Sequence, residues 1–469
     1  MAELINSFPD FSGAFGDKRL DKRASQVLHK LTSGRSSSLR YIAETESEQR
    51  SFYRLFNNES FTEQAIEGSI INRCSELCRG RHVLAIQDTV EYNLTANSGR
   101  IKAGSGLGRT GQNDVLGFLM HHSMVVDAHM GTALGFSSIK LWERDQESPD
   151  KHTRKYYNQP IEEKESYKWI EASLKTRQLL TDAESITIVA DRESDMYDML
   201  ALIPDEKTHL VLRCKANRNL SSGQKLYEYL NALPVMHTYD LPIIGDSRKG
   251  NKKRIAKMKV RWNKISLPRP NNSNKDLPDA VEMYVVEAKE AGKTNGIIWR
   301  LFTTHPVDSP EDAMQIIEWY KQRWFIEQVH RLLKTDGFRI ERSQLEQGWA
   351  IRKLTLLAMM AVLRILQMML AYEEDTEQPI WEAFDEEQQR CLSMLNEKLE
   401  GQTEKQSNPA KPGTMKWATW IIARLGGWKG YTSQRKPGPI VLHKGLAKFY
   451  NIFEGWQLYQ TSSKDVYTP

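Results

Sequence analysis

The sequence predicts an α/β fold: a layered core, interrupted by an antiparallel β insertion and flanked by α-helical N- and C-terminal segments. Three observations carry this reading. Short β-branched runs at Val83–Ile86 and Ile186–Ala190 each lead into an aspartate and alternate with helical segments. Residues 256–262 alternate between apolar and cationic, the period of a strand with one wet face. Both ends of the chain carry apolar residues at helical spacing.

At 469 residues, with 40% hydrophobic and 27% charged residues, the chain can build several domains with ordinary globular cores. The net charge of +5 is modest, so an anion-binding surface must come from local clustering. The opening residues lack a secretory pattern. Leu354–Ala371 is the most apolar run, but Arg364 and Gln367 interrupt it, which favours a buried helix over a membrane span. Cys74 and Cys78 lie one helical turn apart with no Cys/His pair nearby. All four cysteines, including Cys214 and Cys391, therefore read as free thiols in a reducing cytosol rather than zinc ligands.

Residues 1–72 read as several short helices. The first places Leu20, Ala24, Val27, Leu28 and Leu31 on one stripe and groups Lys18, Arg19, Lys22 and Arg23 at its start. A helical DNA-binding module and a small bundle with a wet basic face fit this pattern equally. A core follows, expected over 73–375. The run before Asp88 is its first strand. A glycine-rich segment, Gly104–Gly117, lacks the ending of a phosphate loop and reads as a mobile loop. Two more strands, a helix over 164–180, the strand ending at Asp191, another helix and a strand ending at Arg213 complete the order. Three strands, then alternating helix and strand, is the layout of a ribonuclease-H-like core.

Residues 220–310 interrupt that core. Between Arg248 and Lys264 stand nine Lys/Arg and no acidic residue. Lys257, Lys259 and Arg261 share the cationic face of a strand whose other face holds Ala256, Met258, Val260 and Trp262, so an anionic partner is expected there. Trp299, in a later strand of the insertion, reads either as a core residue or as a stacking surface for an unstacked base.

Asp312–Lys334 reads as one amphipathic helix, with Ala313, Ile316, Ile317, Trp324 and Leu332 as its apolar side. Tyr320, Arg323, Glu327, His330 and Lys334 then share a polar face. Such a face is either solvated or functional, with Glu327 as a metal ligand and Arg323, Arg331 and Lys334 toward phosphates. His330 on the same stripe is assigned to DNA contact. Residues 372–415 read as an acidic, then polar, linker. The segment 376–469 ends in two Trp- and Tyr-rich amphipathic helices, which pack either on a partner subunit or on their own core.

Asp88, Asp191 and Glu327 together make a three-carboxylate constellation. Such a group repels itself unless protonated or metal-bound, and its hard oxygens favour Mg2+ or Mn2+. Two ions ~3.5–4 Å apart can clamp a phosphodiester during displacement.

The combination of LAIQDT around Asp88, VADRESD around Asp191 and Y-x2-R-x3-E-x6-K at Tyr320, Arg323, Glu327 and Lys334 resembles the bacterial DDE transposases with the YREK signature, the insertion-sequence-four family. It is most similar to the Tn-five, or insertion-sequence-fifty, type. FGDKR near the start, YRLFNN at Tyr53–Asn58, LVLRCK around Arg213 and WATWIIARLGGW near the end extend the likeness over nearly the whole chain.

The resemblance implies an enzyme that binds inverted-repeat ends, cuts them and joins the 3′-OH to target DNA with two Mg2+ ions per site. Asp88, Asp191 and Glu327 would hold the metals. Tyr320, Arg323, Lys334 and Arg213 would contact DNA, and Trp299 would stack on a base flipped out during a hairpin step. Residues 1–72 would recognise the end, 376–469 would dimerise, and the homodimer would act on DNA in the bacterial cytoplasm. Two other readings fit the residues: a ribonuclease-H-like nuclease that cuts without joining, and a non-catalytic DNA-binding inhibitor of transposition.

Overall fold

In the computed structural model, residues 11–34, 36–111, 115–144, 159–243, 252–373, 377–431 and 436–465 are described. The chain forms two compact units. One comprises Met1–Arg79, Thr89–Ser148 and Phe325–Pro469; the other comprises Gly80–Asp88 and Pro149–Trp324.

The first unit is mainly helical. α1 (Lys18–Ser33) starts where Asp17 accepts from the Arg19 amide, and it buries Ala24, Val27, Leu28 and Leu31. α2 (Leu39–Ile42) is a single turn. α3 (Glu46–Phe56) and α4 (Glu63–Cys78) are capped by Thr45 and Thr62. The chain breaks at Asn57, as its composition suggests. The spine of the unit is α10 (Gly348–Glu373), which packs on α1 and α4. Its most apolar window is 94% buried, so this membrane-length helix is a core helix.

Cations inside this core find partners. Lys353 Nζ donates to the carbonyls of Phe56 at 3.1 Å and Asn58 at 3.3 Å, and Arg364 donates to the Ala383 carbonyl. The stretch read as a linker holds a further helix, α11 (Glu386–Leu399), with a capping box between Asp385 and Gln388. Its buried stripe, Cys391, Leu392 and Leu395, is too short to stand out among the surrounding charges. α12 (Met415–Leu425) and α13 (Pro439–Asp465) pack on each other and on α10.

The strands of this unit centre on β3 (Leu116–Asp127), which pairs antiparallel with β2 (Gly108–Arg109) and β4 (Ala133–Trp142). β2 lies inside the glycine-rich segment, so the described part of that segment is partly ordered by pairing. Its residues 112–114 lie outside the described residues.

The second unit is a sheet covered by helices. β1 (His82–Asn93) enters it through its first seven residues. Here β1, β5 (Ser185–Ala190) and β6 (Thr208–Arg213) run parallel, in that order. β10 (Ile298–Thr303) pairs antiparallel with β6, and β9 (Ala280–Glu290), β8 (Arg254–Pro268) and β7 (His237–Ile243) follow as antiparallel neighbours. The helices are α5 (Tyr167–Leu179), α6 (Tyr197–Leu202), α7 (Leu226–Ala232) and α8 (Pro310–Lys321). The parallel arrangement explains the nearly continuous apolar runs of β5 and β6, which the sheet buries.

Two expectations change. Asp88 does not end its strand, because β1 continues five residues beyond it. The period-two pattern of β8 is present, with Lys257 and Lys259 exposed opposite buried Ala256, Met258 and Val260. Yet that strand is not without counter-charge. Arg261 pairs with Glu287 at 3.2 Å, Lys264 with Glu282 at 2.6 Å, and Arg254 with Glu290, all three acids lying on β9. The acids come from a neighbouring strand, which a scan along β8 alone does not see. Residues 248–251 of the basic run lie outside the described residues.

Candidate active site

The parallel register builds the site. Ile86 pairs with Val189, and Ala190 with Leu212. Both ladders end just before Asp88, Asp191 and Arg213, so the three residues leave the paired region at the same end of the parallel strands. Neighbouring strands lie ~4.8 Å apart, so the paired ends of β1 and β5 deliver the two aspartates to one end of the sheet. Asp191 stands just past β5 and caps a 3-10 turn (Arg192–Ser194), where its Oδ1 accepts from the Glu193 amide at 2.8 Å.

Arginine and a phenol close on these residues. Arg323 Nη1 donates to Asp88 Oδ2 at 3.0 Å, with the two side chains only 19% and 20% exposed. Tyr320, on α8, is buried. Burial pushes its phenol above the usual range, Arg213 and Arg323 pull it back, and the Asp191 charge pushes it up again. The Trp299 ring centroid lies 6.4 Å from that of Tyr320. Arg213 Nη2 also reaches the Ile298 carbonyl at 3.4 Å. Six expected site residues thus gather in the second unit: Asp88, Asp191, Arg213, Trp299, Tyr320 and Arg323.

The helix expected over Asp312–Lys334 is not continuous. α8 starts at a Ser309–Asp312 capping box and ends at Lys321. Arg323 N then bonds the Tyr320 carbonyl at 3.1 Å, a tightened turn. α9 (Trp324–Arg331) follows, and a π-helical turn (Leu332–Asp336) succeeds it. No proline or glycine marks the break, so the pattern did not reveal it. Its consequence is a reset of helical phase: Tyr320 is buried, whereas Trp324, expected in the core, is 59% exposed.

Glu327, His330, Arg331 and Lys334 belong to the first unit. There His330 Nε2 meets His122 Nε2 of β3 at 3.0 Å. Lys334 Nζ donates to the Glu91 carbonyl at 2.8 Å and pairs with Glu341 at 3.0 Å. Arg331 is exposed. On α1, Arg19 is exposed and pairs with Asp17 at 3.0 Å, and Arg23 is half-buried.

Among the described residues, no three His, Cys, Asp or Glu side chains gather as a metal-holding group. Of the three expected carboxylates, Asp88 and Asp191 belong to the second unit and Glu327 to the first. Within the second unit Arg323 neutralises Asp88, which relieves the repulsion that an uncompensated acid would suffer beside another. The donor chemistry of the two aspartates still fits a hard divalent cation. Mg2+ needs only one or two carboxylates when waters and substrate phosphates complete its shell.

Residues that pattern reading missed include the fully buried Asp195, paired with half-buried Arg218, and the fully buried Glu287 between Arg261 and Arg300. Asp195 lies inside VADRESD, so its place in that motif was the available signal.

Residues 117–364, more than half of the chain, match the family model described as Transposase DDE domain. Residues 12–61 match the model described as Transposase DNA-binding. Among solved structures, a cryo-EM structure of the piggyBac transposase synaptic complex with hairpin DNA aligns with 80% of this chain and 78% of that one. The identity is 9% and the TM-score 0.37, a likeness too distant to carry an argument. On the family match, which spans β3 to α10 and so includes Asp191, Arg213, Tyr320 and Arg323, the chain belongs to the DDE transposase-domain family.

Proposed function

We propose that this DDE transposase works by cut-and-paste, as the YREK, Tn-five-like signature implies, on a ribonuclease-H-like core. The observation that carries the reading is the convergence of Asp88, Asp191 and Arg213 at one end of the parallel strands, with Tyr320 and Arg323 closing on them. Asp88 and Asp191, with Glu327 assigned to the same set from the signature alone, are the proposed metal ligands. Mg2+ or Mn2+, as two ions per site, would offset the charge of a phosphodiester during in-line displacement.

The chain's own residues then divide the work. Arg323 exchanges Asp88 for a DNA phosphate, for which its guanidinium is suited. Tyr320 and Arg213 hold the backbone beside the acids, with Lys334 on the same substrate strand. Trp299 offers a face to a base unstacked during a hairpin step, which costs a few kcal/mol that stacking offsets in part. Residues 1–72 recognise the transposon end, and the basic face of β8 follows the DNA backbone. The helices of 376–469 pair two copies in a synaptic complex, each holding one end, in the bacterial cytoplasm. Successive displacements free a 3′-OH, form and reopen the hairpin, and join the end to target DNA.

The test is incubation with the element's own end DNA and Mg2+, with nicked, hairpin and joined products separated. Wild-type protein should yield all three. Asp191→Ala and Glu327→Ala should bind ends yet leave them uncut. Nicking retained in either variant sinks the metal-ligand assignment, and cutting without joined product by the wild type sinks the transposition reading.

A further inference from the structure

Asp195 ends the 3-10 turn that Asp191 begins. Its side chain is fully buried, and burying a carboxylate is costly unless its lone pairs are filled. They are filled from one short segment after β6. Asp195 Oδ2 accepts from the Lys215 amide at 2.7 Å, and Oδ1 accepts from Arg218 Nε at 3.0 Å and Nη2 at 2.5 Å. Arg218 Nη2 also reaches the Asp195 carbonyl at 2.8 Å. Within the turn, Ser194 Oγ donates to the Asp191 carbonyl at 2.7 Å.

These bonds act where the ladder between β5 and β6 has run out. That ladder ends at Ala190 paired with Leu212, one residue short of Asp191 and Arg213. Beyond it the Asp195–Arg218 clasp joins the two chain segments, while Arg213 is held on its other side by pairing with Leu301 of β10. The same segment is bonded onward, since Cys214 N donates to the Arg300 carbonyl at 2.8 Å, next to Trp299.

We propose that Asp195 and Arg218 are positioning residues. Their buried clasp fixes the Asp191 carboxylate relative to Arg213, and so sets metal affinity at Asp191 without touching DNA or metal. The proposal rests on the assignment of Asp191 as a metal ligand. Partners that orient a ligating carboxylate typically change metal affinity or activity by ~10–100-fold when removed.

The experiment uses the full-length protein with Asp195→Asn and Arg218→Lys. Asparagine keeps the shape but drops the charge, and lysine keeps the charge but cannot form the two-pronged bond. Far-UV circular dichroism establishes folding, end-DNA binding is measured without metal, and Mn2+ binding to the protein is read by electron paramagnetic resonance. Cleavage is then followed against Mg2+ concentration. Expected are unchanged end binding, weaker Mn2+ binding, and a half-saturating Mg2+ concentration raised by ~10-fold or more, with kcat reduced at saturation and KM for DNA unchanged.

Wild-type Mn2+ binding and Mg2+ dependence in either folded variant overturn the proposal. Loss of end binding in step with cleavage, or failure of both variants to fold, also overturns it, because the clasp would then serve stability alone. A wild type that shows no metal-dependent cleavage is a separate result, and it counts against the transposase mechanism itself.

Discussion

Arg323 Nη1 lies 3.0 Å from Asp88 Oδ2, joining the end of the α8 segment to the first strand of the core. The pair couples a signature residue proposed for DNA to one proposed for metal. With both side chains about four-fifths shielded, the carboxylate and the guanidinium satisfy each other until a phosphate competes for the arginine.

Arg323→Gln should therefore weaken end binding and reduce the slope of log affinity against log salt by ~1, the loss of one phosphate contact. Binding titrations at several salt concentrations check this. An unchanged slope would show that Arg323 stays on Asp88 in the complex.

Trp299→Ala should impair hairpin formation more than first-strand nicking, because only the hairpin step needs an unstacked base. Trp299 is half-buried, 6.4 Å from Tyr320, so a packing role is the competing explanation. Equal loss of nick and hairpin in a time course would favour that explanation.

Glu287 is fully buried, and its two oxygens serve Arg261 at 3.2 Å and Arg300 at 2.8 Å, while the Arg300 guanidinium lies 3.8 Å from the Tyr227 ring centroid. Glu287→Ala leaves two largely shielded cations without their acid and should lower unfolding free energy by ~3–5 kcal/mol. Urea denaturation measures it. A loss below ~1 kcal/mol would mean that the arginines find water.

His305 provides a pH signature. It stacks on His209 at 4.1 Å, lies 5.8 Å from His82 and 4.9 Å from Trp319 of α8, and shares a 2.8 Å bond with Thr187 of β5. Asp205 is the acid that acts on His209. Burial, then His209, then His82, lower the His305 pKa from 6.5 to about 3. An unfolded histidine takes up a proton near pH 6.5, whereas the folded one stays neutral to about pH 3. Its stabilising contribution is thus complete above pH 6.5 and declines as pH falls toward 3, by at most ~1.4 kcal/mol per pH unit. His305→Gln should flatten that slope in denaturation curves at pH 7, 6 and 5. An identical slope would acquit His305.

Some features were legible because their cause is local. The stripe of Leu20, Ala24, Val27, Leu28 and Leu31, the alternation of Ala256, Met258 and Val260, and the β-branched run into Asp191 act over a few residues, so pattern alone locates α1, β8 and β5. The broken helix was not legible, since nothing in Tyr320–Trp324 carries a breaking residue. Neither was α11, whose stripe of three apolar residues is hidden among charges.

The sequence by itself determined the residue types on which the chemistry depends and the signature spacing that links Tyr320, Arg323, Glu327 and Lys334. Only tertiary structure decided which of them meet. The pairing of three parallel strands brings Asp88, Asp191 and Arg213 to the same end of the sheet, although 103 and 22 positions separate them along the chain. Tertiary structure likewise gave Arg323 to Asp88, and Lys334 to Glu341. Period and capping are short-range properties written into neighbouring residues. Register and charge pairing depend on strands brought together from far apart, and no local pattern records them.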